Sequence, residues 1–453
     1  MWPAGSRGKG ISVDFDWSPI ELDRQLARAF AQWRAWRSRL ERSADPEDEP
    51  LAYFRPVLGL SFFQQLGDLP ESDPLREPLR RAVYRLAEQR INHEVLTRLA
   101  TEWQLERPHP ETPGRRVQSA LGLREHALSD TPRRPIWTRL WLEAAPAISA
   151  VAVDLWQRRR EIARRMGLDG PESIESPAAG LQDIARRVAD ATRDRVRELR
   201  LGSLTGFTEL ALGRDVAGDW PARLTPAHLI NFFRDGDLLR SLDLEPSALP
   251  SSVGAASTQR ALAKLGAAWL EALAPRDQPF VIAHDPYGLR RHEAAASFAL
   301  LPLNERFLSR HLGLAAHAIP DVQRRLAQIA LLELAQAAFR VELRAHALTG
   351  ERSFREAFTE LARHNLDVSL PPSAAGVVFA LGIEDEQRFV GSLLAARKAH
   401  VLIEAHDEDW FRNPRAIEQL RAEASLPPLI RVEADEVSAA ATFALGRLEK
   451  LLR

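Results

Sequence analysis

Residues Asp321 to Leu348 carry apolar side chains on nearly every face of a helical projection. A helix of that kind is covered on all sides, so the run marks a buried central helix with other elements packed around it. The rest of the chain is written mostly in the same period. Leu22, Leu26, Phe30 and Trp33 share one helical face, and a second helical block runs from Pro78 to Leu105. A long helix is expected from Leu140 to Met166, with Val151, Leu155, Ile162 and Met166 as its stripe. Gly167 stands just past its end, where a left-handed cap residue belongs. Ala179 to Leu201 reads as amphipathic, and 221–249 as interrupted by prolines. Ser257 to Ala274 reads as helical up to Pro275, and 354–363, 385–404 and 413–423 complete the set.

Strand signals are sparse. Gln278 to Ala283 is the best strand candidate, a short β-favouring run near prolines, and Leu429 to Val432 is a weaker one. Asp45 to Glu49, Pro108 to Gly114 and Ser129 to Pro135 read as loops or turns. No period of about 20–50 residues recurs, which excludes a solenoid of identical repeats. The fold class expected is mainly α, with at most a very small β-sheet. The simplest organisation is an N-terminal helical lobe over 1–139 and a second lobe over 140–453, or one continuous body.

Composition removes several function classes. The chain has no cysteine, so disulfides, thiolate metal sites and a cysteine nucleophile are excluded. Its 61 basic and 62 acidic residues leave a net charge of −1, which argues against nucleic acid as a partner. Arginine supplies nearly all the basic charge; lysine occurs only as Lys9, Lys264, Lys398 and Lys450. The N-terminal sequence has no apolar signal region, and no run approaches a membrane span, so a cytoplasmic protein with no membrane partner is expected. There is no G-x-S-x-G elbow, P-loop or G-x-G-x-x-G, so serine hydrolysis and nucleotide binding have no support.

One short run carries chemistry. His292-Glu293-Ala294-Ala295-Ala296 lies on a helix expected to start near Asp285-Pro286. In an HExxH helix two histidines one turn apart bind zinc, and the glutamate between them polarises the attacking water. Here Ala296 holds the second histidine position, and a methyl group cannot ligate.

Two further segments flank that run in order. Upstream, Asp154 to Leu168 is a helix followed by a glycine and an apolar residue; downstream, Asp409-Trp410-Phe411-Arg412-Asn413-Pro414-Arg415-Ala416 has Asn413 as a capping acceptor and Pro414 in a first helical turn. With these segments the chain resembles the gluzincin zinc peptidases of the thimet-oligopeptidase and carboxypeptidase Taq type over about residues 140–425. The resemblance implies a multi-helical zincin-like architecture with a deep cleft, in which His292 and Glu293 are vestigial catalytic positions. It also implies a third ligand, a glutamate on a later helix. Glu305 stands closer than the family interval and Asp321 nearer to it, so His292, Glu305 and Asp321 are the residual metal candidates. The family's oxyanion donors are tyrosines, and the tyrosines here, Tyr53, Tyr84 and Tyr287, all precede the His-Glu run. No cofactor is therefore expected, with zinc only if a ligand set has been rebuilt.

Other residues offer alternatives. Glu342 with His346, His284 with Asp285 and His292, and His400 with Glu404 and His406 have spacings open to metal, and His311 and His364 are spare. Glu333, Gln336 and Arg340 fall on one face of the central helix, as a structural network or the polar floor of a cleft. Tryptophans such as Trp33, Trp36, Trp137, Trp141 and Trp156 read as helix-packing residues. The function expected is a pseudo-peptidase that binds a peptide or protein partner, such as an active paralogue. The alternatives are an enzyme of altered chemistry using His292 and Glu293, and a purely structural helical protein.

Overall fold

The computed structural model describes residues 18–42, 49–108, 117–129, 131–201, 228–231, 255–273, 277–284, 288–377, 381–426 and 429–453. The fold is mainly α. In chain order the helices are α1 (Pro19–Arg42), α2 (Leu60–Gln65), α3 (Arg76–Ile91), α4 (His93–Gln104), α5 (Ala120–Ser129), α6 (Arg134–Arg165), α7 (Glu172–Glu175) and α8 (Leu181–Glu198). They continue as α9 (Ala255–Leu273), α10 (Phe280–Ala283), α11 (Leu289–Ala299), α12 (Ile319–Thr349), α13 (Glu351–Leu366), α14 (Asp385–His406), α15 (Pro414–Ala424) and α16 (Ala434–Leu452). Strands β1 (Arg107–Pro108) and β2 (Val117–Gln118) pair antiparallel, Arg107 opposite Gln118, on either side of the expected proline-rich turn, of which 109–114 lie outside the described residues.

Helix α12 is the central helix that its apolar run implies, with Leu326, Leu332, Ala335, Phe339 and Leu343 inaccessible to solvent. Helix α6 ends as expected. The Leu168 N–H reaches the Ala163 carbonyl at 3.0 Å and the Gly167 N–H reaches that of Arg164 at 3.0 Å, with Gly167 at φ +77°. This pair of bonds closes a helix on a left-handed residue and satisfies carbonyls that the helix leaves open. Asn413 caps α15: its Oδ1 accepts from the Arg415 N–H at 3.0 Å, and Pro414 opens the helix.

The strand candidate at 278–283 is a helical turn, α10. Both carboxylate oxygens of buried Asp23 accept from its free amides, 2.7 Å from the Phe280 nitrogen and 2.9 Å from that of Val281. A first turn has no internal partners for those N–H groups, and a carboxylate from a distant helix supplies them. Leu429–Val432 is not a strand either: its Leu429 carbonyl serves Leu289 and its Val432 N–H serves Pro177, two unrelated segments.

The apolar interior forms two cores. One gathers Leu22, Leu26, Trp36, Phe63, Leu79 and Tyr84 together with Ile162, Met166, Ile174 and Val281. The other surrounds α12 and includes Trp137, Trp141 and Ile148 from the first half of α6. Helix α6 thus serves both cores, and the 139/140 boundary falls inside it.

A buried ionic cluster lies between the cores. Glu175 on α7 contacts Arg85 at 2.7 Å and Arg159 at 2.8 Å, and also Arg344. Arg159 reaches Glu88 at 3.0 Å, and Arg344 reaches Glu386 at 3.4 Å. Trp156 is stacked beneath, with the Arg159 guanidinium 4.3 Å from its ring centre. Burial works to raise the Glu175 carboxyl, but Arg159, Arg85 and Arg344 outweigh it and hold the pKa below the ordinary value. Five helices, α3, α6, α7, α12 and α14, meet at this cluster.

Candidate functional site

Helix α11 carries His292 and Glu293 and is clamped between α9 and α14. A Cβ at Gly266 of α9 would stand 2.5 Å from the Ala294 carbonyl oxygen. One at Gly391 of α14 would stand 2.7 Å from the His292 Cβ and 2.9 Å from the Glu293 nitrogen. At these glycines α9 and α14 come close to the backbone of α11, and a side chain at either position would hold the helices apart. Gly288 precedes the helix with no side-chain cap, and the expected start at Asp285-Pro286 lies outside the described residues.

Neighbours on a helix point about 100° apart, and the clamp turns that angle into two separate environments. His292, Ala295, Ala296 and Ala299 line a cavity of about 290 Å³, here called the inner cavity. Arg290, Glu293, Ala294 and Ser297 line a groove of about 340 Å³ against α9, α14 and α15. The His292 Nε2 lies 3.5 Å from the Glu384 carboxylate. Burial pulls the imidazole down to about 4, against the opposing pull of Glu384, so at neutral pH the ring is uncharged.

Glu293 is committed elsewhere. Its Oε2 lies 3.6 Å from the Lys398 Nζ, and that ammonium lies 2.6 Å from Glu423. Burial works against the Lys398 charge, but Glu293 and Glu423 prevail and hold its pKa above the ordinary lysine value. The groove floor is Trp269, Phe298, Leu394, Leu402, Trp410 and Leu420, and its lining includes Val401 and Leu426, which are 46% and 53% exposed.

The remaining metal candidates are not brought together. Glu305 and Asp321 are exposed, Asp321 lies 3.5 Å from Arg324, and neither lines the groove or the inner cavity. Among the described residues no group of three His, Asp or Glu side chains is placed to hold a metal ion. The other spacings resolve into separate pairs. Glu342 accepts from Asn365 while His346 meets Ser353. His400 lies by Glu404, His406 by Gln419, His364 by Asp190 and His311 by Asp409. His284 packs on the Phe280 ring, and Asp285 lies outside the described residues.

Of the three polar residues on one face of α12, Glu333 lines the inner cavity, and burial pushes its carboxyl above the ordinary range. Gln336 is buried and Arg340 is desolvated, and neither lines the inner cavity or the groove. The five tryptophans read as packing residues are all buried, with Trp33 stacked on Trp36 at 4.8 Å. Sequence reasoning named Lys398 and Trp410 without placing them in a site, and assigned no role to Glu423 at the groove or Arg447 at the inner cavity. Lys398 did carry a signal, as one of four lysines in an arginine-dominated chain. No protein family matches the chain, and no curated protein matches it either. Among the described residues no helix is long and apolar enough to cross a membrane.

Proposed function

We propose that the protein is a catalytically decayed relative of the zinc oligopeptidases, a pseudo-peptidase that binds a peptide segment of a protein partner without cleaving it. The observation that carries this reading is the engagement of Glu293. The residue cast as general base gives its carboxylate to Lys398 at the floor of an apolar groove, while His292 points into a different cavity. A hydrolytic site needs base, metal and water in one place; here base and would-be ligand are separated by the body of α11. What is left is recognition chemistry. Aromatic and aliphatic floor residues suit an apolar anchor, and charges of both signs around it (Arg290, Arg397, Lys398, Glu293, Glu423, Glu436) suit the polar backbone and flanks of a peptide.

The resemblance across residues 140–425 and the mainly helical fold support the reading, as does the capped helix start at Asn413-Pro414. A peptide array followed by titration calorimetry tests it. At least one peptide should bind with a Kd of about 100 µM or tighter. A Val401→Asp/Leu426→Asp double variant, altered only at exposed positions, should fold and bind about tenfold more weakly. An array with no binder sinks the proposal, as does chelator-sensitive cleavage of the bound peptide.

A further inference from the structure

The inner cavity carries more than the lost half of a zinc motif. Two buried polar atoms of its wall residues have no partner, Gln259 Oε1 and Arg447 Nη1, and a third, His292 Nε2, has only the Glu384 carboxylate at 3.5 Å. A buried polar atom of this kind calls for a ligand, ion or water. Here the two unpartnered atoms, from α9 and α16, belong to residues that line one space together with His292 of α11. Gln259 is only 2% exposed, and its Nε2 already donates to the Leu326 carbonyl at 3.4 Å, while Oε1 is left without a donor.

Arg447 decides the sign of the missing group. No ion pair joins it to a carboxylate among the described residues, and desolvation alone acts on its guanidinium. A buried cation without a counter-charge is costly, and a bound anion would relieve it. A carboxylate also matches the guanidinium fork geometrically. The acids nearby do not fill that role. Glu333 faces the cavity with a carboxyl that burial favours in its neutral form, and Glu384 is occupied with His292 and, at 3.7 Å, with Arg388.

The rest of the wall decides the body of the ligand. Ala295, Ala296, Ala299, Leu303, Leu334 and Leu448 make it largely aliphatic. Its volume of about 290 Å³ corresponds to about ten water molecules, far beyond a single bridging water. Waters against that wall would find few partners, whereas methylene groups would bury apolar surface. Arg388, with a side chain 60% exposed, also lines the cavity and marks the side on which it meets solvent.

We propose that the inner cavity binds an aliphatic monocarboxylic acid of about six to eight carbons, its carboxylate on Arg447 and its chain along α11 and α12. His292 Nε2, on an uncharged ring, can donate to the same carboxylate, and Gln259 Oε1 accepts from a hydroxyl on the ligand or from a companion water. The site is independent of the peptide groove, since α11 separates the two.

Titration calorimetry of the full chain with sodium octanoate, which has about ten non-hydrogen atoms, tests the size and charge together. Octanoate should bind, and 1-octanol, with the same chain and no charge, should bind at least about tenfold more weakly. Arg447→Met should weaken octanoate by about tenfold and leave 1-octanol unchanged. The proposal is overturned if octanoate shows no binding at about 1 mM, or if the alcohol binds as well as the acid. It is equally overturned if a folded Arg447→Met chain keeps full octanoate affinity. Should that variant fail to fold, the acid–alcohol comparison on the unaltered chain decides.

Discussion

His292 shows how burial changes the meaning of a residue. In sequence it is half of a metal motif; in the fold it is an imidazole whose charge is suppressed. An unfolded histidine titrates near 6.5, whereas this one is drawn down to about 4. The unfolded chain therefore takes up the proton first. Stability linked to His292 is complete above 6.5 and is lost as pH falls through about 4. The loss at the acid end should be about 3 kcal/mol at most. Urea unfolding across that window, repeated on His292→Leu, checks it: the variant should show a shallower decline. A C2-proton resonance of His292 that titrates near 6.5 would remove the basis of the prediction. The dipeptide His292-Glu293 was legible in the sequence, and so was the gap left by Ala296. Their divergence was not, because it depends on Glu384, Lys398 and Glu423, which stand far along the chain and arrive only through packing.

At the scale of elements, the glycine contacts on α11 set the tolerance of the site. Gly391→Ala and Gly266→Ala each place a methyl group against α11, one on its backbone and the His292 Cβ and the other on the Ala294 carbonyl. Neither clash is with the end of a flexible side chain, so the helices must separate. A cost of about 1–3 kcal/mol or more is expected for each, measured as a lower denaturation midpoint at unchanged slope. Asn413→Ala should cost about 1 kcal/mol through loss of the α15 cap; no change would mean that water replaces the side chain. A helix with a clear stripe, such as α8, could be read directly from period, and α12 from apolar side chains on nearly every face. Helix α16 is not among the helices read from the sequence, although Val437, Ala440, Ala441, Ala444 and Leu448 form its buried face. Helix α5 was hidden between two proline-bearing turns. At α10 a tertiary contact overrode local preference, because Asp23, more than 250 residues upstream, supplies the acceptors that favour a helical turn.

Across the whole molecule the cluster around Glu175 is the main polar tie between the cores. Removing one partner from a buried ionic set leaves charge uncompensated, which costs about 3–5 kcal/mol. Glu175→Gln should therefore lower stability by about that amount at neutral pH while Arg85, Arg159 and Arg344 remain. Because the folded Glu175 carboxyl is held below its ordinary value of 4.5, its contribution is complete above that value and is lost as pH falls through the folded pKa. The stability gap between the parent chain and the variant should consequently narrow at acid pH. A gap that stays constant with pH would mean that the cluster acts through shape alone. None of this was visible in sequence, where Arg85, Arg159 and Arg344 look like any other arginines on amphipathic helices.

The shared role of α6 has a further consequence for how the chain is made. The first core to be translated, built on Leu22, Leu26, Trp36 and Leu79, is finished by Ile162, Met166, Ile174 and Val281. When only the first half of the chain has left the ribosome, Ile162, Met166 and Ile174 are already out, but Val281 is still in the exit tunnel or not yet joined. The apolar packing of the first core is therefore complete only after Val281 emerges, more than 100 residues behind Ile174.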